Sequence, residues 1–353
     1  MLGLLITFHS VWTLIANNRN LSQKSLVWTS LLIVAVSGIV LFSGTSINLT
    51  NNNNQAQAQE QQQQVGRTKI NKLWETPDDL KNPESVAYAP KQNVLFVSNI
   101  DGKPDEKDQK GFISKVSPSN GSIIELNWIT GLNAPKGIAI SNDNGKLYVS
   151  DITDLVEIDI ASGKIIKRFN APGSAFLNDV ASDNQGYVYV ADTVTNTIYR
   201  LDTKNIGDNS TNNNNASLQA WLQTPELNGP NGLYVDNSNN KLIVASLGAF
   251  SNPAGSIRVV DLQNRTVRGL GNEGTAVPIG GLDGIEADST GRYYYVTDNA
   301  GGKLYVVNSN GTGYETLDLQ NQGAADLGVI LDENLIIIPM MQDNKLEAYR
   351  IIR

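Results

Sequence analysis

The chain has no cysteine and a single histidine, His9, inside an apolar N-terminal stretch. Without thiols there is no disulfide, no thiolate nucleophile and no cysteine-built zinc site. With no imidazole beyond residue 9, neither a Ser-His-Asp triad nor a histidine zinc site can be assembled in the rest of the chain. A general base there has to be a carboxylate or, less often, a lysine or tyrosine. Basic clusters are also missing. The 27 Lys and Arg are outnumbered by 35 Asp and Glu, the formal charge is −8, and no long basic run occurs. Nucleic acid is therefore not an expected partner, because phosphate contacts need clustered cations. A cation or a small neutral substrate suits this balance.

What is present divides into three parts: a leader over 1–50, a linker over 51–67 and a repeat region over 68–353. Leu26–Phe42 is an uncharged apolar run preceded by Arg19 and Lys24. It is short for a membrane span and long for the core of a signal peptide, so a cleaved signal and an uncleaved anchoring helix both stand as expectations. Ala56-Gln57-Ala58 offers a small-x-small cleavage site, and Leu2–Ala16 is a second apolar stretch. Either reading carries the rest of the chain out of the cytoplasm, secreted or anchored to the membrane. Asn51–Gln64 is almost entirely Asn, Gln and Ala and reads as a disordered tether. Sequons at Asn120, Asn209, Asn215, Asn264 and Asn310 permit surface glycosylation.

From about Thr68 a unit recurs. It has a polar residue at the start of a strand, a second strand such as LYVSD or VYVAD, and a third such as LVEID or IYRLD. The polar strand starts are Glu84, Lys136, Asn178, Asn231, Asp283 and Asp326, at spacings of 52, 42, 53, 52 and 43 residues. A period of 40–50 with several short strands per unit predicts propeller blades, and six units predict an all-β, six-bladed β-propeller. The last unit ends after its third strand. Lys69–Trp74 (KINKLW) has strand character, so it is predicted to complete that blade and seal the ring. Almost no helix is expected beyond the leader.

Innermost strands of a propeller all start at one face, so the six polar residues predict a ring around the channel mouth. It is rich in carboxylate and amide oxygens, which suit Ca²⁺, with Mg²⁺ or Mn²⁺ as alternatives. The plainer reading is turn chemistry, since Asn-Gly and Asp-Gly are common turn pairs. Two details oppose it. The residue type changes from blade to blade, and the following Gly is replaced by Ser85 and Asp179.

The motifs NPESVAY, FLNDVAS, GPNGLYV and GLDGIEA, in that order at blade spacing, resemble the senescence marker protein (regucalcin)/gluconolactonase family of six-bladed, metal-dependent lactonases. Paraoxonases and strictosidine-synthase-like propellers are its relatives in architecture. The resemblance covers roughly residues 70–353. It implies Glu84, Asn231 and Asp283 as metal ligands and Asn178 beside metal and substrate. It also implies Asp283 as the catalytic base or water-positioning carboxylate. The activity so implied is divalent-metal-dependent hydrolysis of lactones or related esters. The alternative is a non-enzymatic propeller of the NHL type that binds a ligand or protein, with any metal structural; a membrane-tethered scaffold is a third reading.

Two residues depart from that pattern. Lys136 sits in the predicted ring, where its ammonium would repel a cation or hold a substrate anion; the plainer expectation is that its long side chain carries the charge into solvent. Asp326 adds a carboxylate that could pair with Lys136 across the channel. No arginine occurs near the strand starts, which weighs against a sugar lactone. Three loops, Ile100–Gly111, Leu247–Gly255 and Asn272–Gly280, are expected on the mouth face, and the Asn-rich Thr203–Ser217 on the opposite one.

Overall fold

The computed structural model describes residues 68–206, 218–271, 277–319 and 323–353. The leader, its apolar run, the tether and parts of three later segments, 207–217, 272–276 and 320–322, lie outside the described residues. Among the described residues, 24 strands form six four-stranded antiparallel sheets, and helix is limited to four 3₁₀ turns. No helix among them is long and apolar enough to cross a membrane. The inner strands are Pro83–Ala89, Pro135–Ile140, Leu177–Ser182, Pro230–Asp236, Leu282–Ala287 and Gly328–Ile330, one to a blade.

The sixth blade closes as the sequence predicts. Lys69–Glu75 is its outer strand, paired antiparallel to Lys345–Ile352 from Lys69 opposite Ile352 to Glu75 opposite Glu347. The first strand of the fold thus leaves no open edge between the chain's beginning and its end.

Alternation within the strands explains where the core sits. Side chains on the two faces of each sheet pack against different neighbours. The buried apolar residues accordingly fall into six clusters, one per blade interface. Tyr148 and Leu155 of blade 2 meet Val190 and Tyr199 of blade 3, and Leu95 and Val97 of blade 1 meet Ile337 and Leu346 of blade 6. The last of these interfaces joins the ring. A seventh, smaller cluster of Ile100, Ala134 and Ile152, with Met341 against it, lies on the mouth face over blades 6, 1 and 2.

The polar ends of the second strands anchor nearby loop segments, in blades 1 to 3 those that lead into the inner strand of the same blade. Asp151 accepts from the amides of Asn133 and Ala134, and Asp192 from those of Ala175, Phe176, Val194 and Thr195. Asn99 takes the Lys81 amide, and Asp298 the Gly301 amide and the Tyr305 hydroxyl. These carboxylates and amides belong to the scaffold.

Candidate functional site

Five of the six inner strands begin with a bulge. In blade 1, Pro83 lies opposite Asn99 and Val86 opposite Val97, so one extra residue is accommodated between them. The same shift recurs between Pro135 and Ile138, Leu177 and Val180, Pro230 and Leu233, and Leu282 and Ile285. A bulge re-aims side chains and is common beside functional sites. Its two residues are the polar mouth residue and the one after it, which is small in blades 1, 2, 4 and 5 and Asp179 in blade 3. The small residue is required by close approach: a Cβ on Gly137 would lie 2.3 Å from the Cα of Asp179, and one on Gly232 would lie 2.2 Å from the Asp283 carbonyl oxygen.

Blade 6 corrects one expectation. Its bridge joins Ala324 to Met340, in the place where Leu282 joins Asp298 in blade 5. The Thr297 hydroxyl donates to the Ala325 carbonyl as the Ser150 hydroxyl donates to that of Asn178. Ala325 is therefore the sixth mouth residue, and Asp326 stands one place deeper, in the position of Ser85, Gly137, Asp179, Gly232 and Gly284. Asp326 does not pair with Lys136. Its carboxylate accepts from the Leu327 amide (2.9 Å) and the Ser85 hydroxyl (2.6 Å). Asp179 repeats this design, accepting from the Val180 amide (2.6 Å) and the Leu233 amide of the next blade (2.6 Å). These two carboxylates stitch blade 6 to blade 1 and blade 3 to blade 4, at opposite points of the ring.

The mouth tier is different. Glu84, Asn178, Asn231 and Asp283 are all buried, and each keeps an acceptor oxygen with no donor: Glu84 Oε2, Asn178 Oδ1, Asn231 Oδ1 and Asp283 Oδ1. Three of them have their other polar atom tied down. Asn178 Nδ2 donates to the Thr193 hydroxyl (3.2 Å), Asn231 Nδ2 reaches the Leu282 carbonyl (3.4 Å), and Asn299 Nδ2 donates to Asp283 Oδ2 (3.0 Å). Buried acceptors are normally satisfied, so four without donors in one tier set it apart from the tier below. Two carboxylates and two amide oxygens are hard ligands of the type Ca²⁺ takes. The set holds only two acids, and no group of three or more His, Cys, Asp or Glu forms a metal cage among the described residues.

Burial raises the acids of both tiers, and in the deeper one Asp326 goes up to about 7 and Asp179 well above the usual carboxylate range. Burial pushes Asp283 up to about 8, the neighbouring charge of Asp326 adding to the effect while Asn299 opposes it. Glu84 is raised well above the usual carboxylate range by burial, then by Asp283 and Asp326, against the opposing charge of Lys136. Acids this unfavourably placed are the ones a bound cation relieves. Glu84 and Lys136 act on each other through their opposite charges.

Lys136 overturns the expectation of a solvated ammonium. It is 2% exposed, and its Nζ donates to the carbonyls of Pro104 (2.8 Å) and Ala134 (3.1 Å) while standing 4.3 Å over the Phe176 ring. Burial brings it down to about 8, with Glu84, Asp151 and Asp105 pulling the other way. It pins the Ile100–Gly111 loop over blade 2, helped by Lys107 on the Thr153 hydroxyl (2.9 Å). Arg168 does reach this face, but it is committed to Asp151 and the Gly131 carbonyl, both at 3.0 Å.

Sequence reasoning missed Asn299, Thr193, Phe176 and Phe250. Asn299 carried a weak signal, since it directly follows the strand-ending Asp298; the others act through contacts between distant segments. Below the two tiers a cavity of about 330 Å³ follows the inner strands, with Val86, Ile138, Leu233, Leu327 and Glu286 on its wall. Two larger clefts, of about 510 Å³ between blades 2 and 3 and about 580 Å³ between blades 5 and 6, contain no mouth residue.

No protein-family model matches this sequence, and no curated protein matches it. Solved structures do. A gluconolactonase from Xanthomonas campestris superposes with a TM-score of 0.58 at 15% identity, over 82% of this chain and 91% of that one. Hydrazine synthase from Kuenenia stuttgartiensis superposes with a TM-score of 0.53 at 14% identity, over 78% of this chain and 96% of that one. Two chemistries among neighbours this remote make the likeness one of fold, and the chain is an all-β six-bladed propeller of the architecture that a gluconolactonase shares.

Proposed function

We propose that the mouth tier holds a divalent cation, Ca²⁺ by preference, and hydrolyses lactones or related esters outside the cytoplasm. The observation that carries this reading is the set of four buried, donor-less oxygens on Glu84, Asn178, Asn231 and Asp283. The gluconolactonase among the structural neighbours supports the choice of lactones. The apolar run Leu26–Phe42 and the Asn/Gln-rich tether support the location, with the N-terminal segment as the link to the membrane where it is not removed.

In this reading Glu84, Asn231 and Asp283 hold the ion and Asn178 stands beside ion and substrate. A bound divalent ion supplies polarisation of the lactone carbonyl and a lowered pKa of water. Asp283 is fixed by Asn299 on Oδ2, which leaves Oδ1 facing the mouth. As a ligand it stays ionised and is a weak base, so its main part is to orient the attacking water. Water adds its oxygen to the carbonyl carbon, the acyl–oxygen bond of the ring breaks, and the water's proton ends on the released alkoxide oxygen. The product is the hydroxy acid.

The test is calcium titration calorimetry on the wild type beside Asp283→Ala, followed by a lactone and ester screen of the calcium-loaded protein. One tightly bound ion lost in the variant, with turnover in the screen, is the expected result. Absence of binding by the wild type would return the mouth residues to turn chemistry. Binding without turnover would favour the ligand-binding propeller.

A further inference from the structure

The side of the mouth formed by blades 3 and 4 is apolar, and it adjoins the orphan oxygens. Phe176 lies two residues before Asn178 and is half-buried; its amide is fixed by Asp192 and its carbonyl accepts from the Thr193 amide (3.1 Å). One face of its ring lies under the Lys136 ammonium. Its ring also meets that of Phe250 nearly edge to face, with centroids 5.6 Å apart at 79°. Phe250 is 60% exposed, and Val194 on the next turn of blade 3 is 51% exposed. Val194 follows Thr193, whose hydroxyl holds Asn178.

Single exposed apolar residues need no explanation. Phe176 and Phe250 differ because their rings meet beside the mouth, Val194 adjoins the mouth through Thr193, and all three are held in place. The Phe250 loop is tied by the Asn252 amide to the Ala249 carbonyl (2.9 Å) and by reciprocal bonds between Gly255 and Gly280 (2.8 and 3.1 Å). Val194 is held by Asp192 (3.1 Å). An aromatic side chain displayed on a tied loop offers contact area at little cost in conformational entropy. The polar alternative is poorly served at this wall. Lys136 has two of its hydrogens on backbone carbonyls and faces the Phe176 ring, so it has little left for the hydroxyls of a sugar.

We infer that Phe176, Phe250 and Val194 are the specificity-determining wall of the mouth, and that the substrate is a lactone or ester carrying an aliphatic side chain rather than a polyhydroxylated sugar lactone. This rests on the hydrolase reading above. The carbonyl of such a substrate would lie toward Asn178 and Asp283, and its tail over the two phenylalanine rings.

The experiment compares kcat/KM of the calcium-loaded full chain on γ-lactones with no side chain, an ethyl and a hexyl side chain, and on glucono-δ-lactone. Each methylene buried on the wall is worth about fourfold, so the hexyl compound is expected to exceed the unsubstituted lactone by at least about tenfold. Phe250→Ser and Val194→Ser, each checked for an unchanged melting temperature, are expected to shrink that ratio about fivefold or more, mainly through KM. A flat series, a preference for glucono-δ-lactone, or a ratio that survives both substitutions overturns the apolar wall while leaving the hydrolase standing. Calcium bound at the mouth with no turnover of any lactone or aryl ester overturns the hydrolase reading itself, and the wall's role in substrate choice falls with it.

Discussion

Two tiers of the same ring, one residue apart in the chain, have opposite characters. The deeper tier contains Asp179 and Asp326, and each carboxylate is filled by two donors, one of them from the next blade. The mouth tier contains Glu84 and Asp283 with two asparagines, and each of the four retains an oxygen that nothing satisfies. Both tiers are buried, so burial alone does not separate them. What separates them is whether the protein itself provides the donors. Filled carboxylates belong to the fold, and the unfilled ones at the mouth are those the proposed cation would occupy.

The sharpest way to break this comparison is to remove one carboxylate from each tier. Asp283→Asn keeps size and hydrogen bonding but loses the charge, and calcium affinity is expected to fall about 100-fold or more with little change in melting temperature without calcium. Titration calorimetry reads the affinity. Asp179→Ala should do the reverse. It leaves the Leu233 and Val180 amides without their acceptor, at a cost of about 3 kcal/mol read by denaturant unfolding, while calcium affinity stays within about fivefold. If Asp179→Ala abolished binding and Asp283→Asn unfolded the protein, the assignment of the tiers would be inverted.

A smaller effect is expected from pH. Asp283 is pushed up to about 8 in the folded chain, above its unfolded value of about 3.9. As pH rises from about 4, the unfolded chain releases this proton before the folded one does. Stability of the calcium-free protein therefore declines up to about pH 8 and is fullest below the unfolded value. Calcium binds the ionised form, so the rise in melting temperature on adding calcium should grow between about pH 5 and pH 8. Thermal scans with and without calcium check this. A calcium effect that shrinks with rising pH would mean the ion does not sit on this acid.

The sequence made most of the fold legible because a propeller blade is a local unit. Strand alternation, blade spacing and the closing role of Lys69–Trp74 all follow from periodicity along the chain. Five of the six mouth positions were legible for the same reason: a polar residue opens each inner strand, followed by a small one in four of them and by Asp179 in blade 3. The sixth was misread because ADLGVI offers Asp326 as the only polar residue, whereas the register is set by the bridge from Ala324 to Met340 across the sheet. Lys136 was misread for a different cause. Its burial depends on the Pro104 carbonyl, 32 residues earlier in the chain, and on the ring of Phe176, 40 residues later. Neither leaves a periodic trace. The Phe176–Phe250 pair is hidden in the same way, since the two residues come from loops of different blades.

The finest division between the tiers concerns Asn299, which belongs to neither. It donates to Asp283 Oδ2 at 3.0 Å, and its Nδ2 also lies 3.6 Å from the Met341 sulfur. If the mouth tier is a cation site, this amide sets which Asp283 oxygen is free and which way the carboxylate faces. Asn299→Ala then leaves every proposed ligand in place and only loosens one of them. The expected loss in calcium affinity is about tenfold, smaller than for Asp283→Asn, with kcat/KM reduced in step. If Asp283 were instead a structural acid like Asp179, removing Asn299 would leave a buried carboxylate oxygen without a donor, and stability would fall whether or not calcium was present. Calcium addition distinguishes the two cases. A calcium-induced rise in melting temperature that shrinks in the variant supports the site, and an unchanged calcium effect beside an equal loss of stability with and without calcium places Asp283 in the fold.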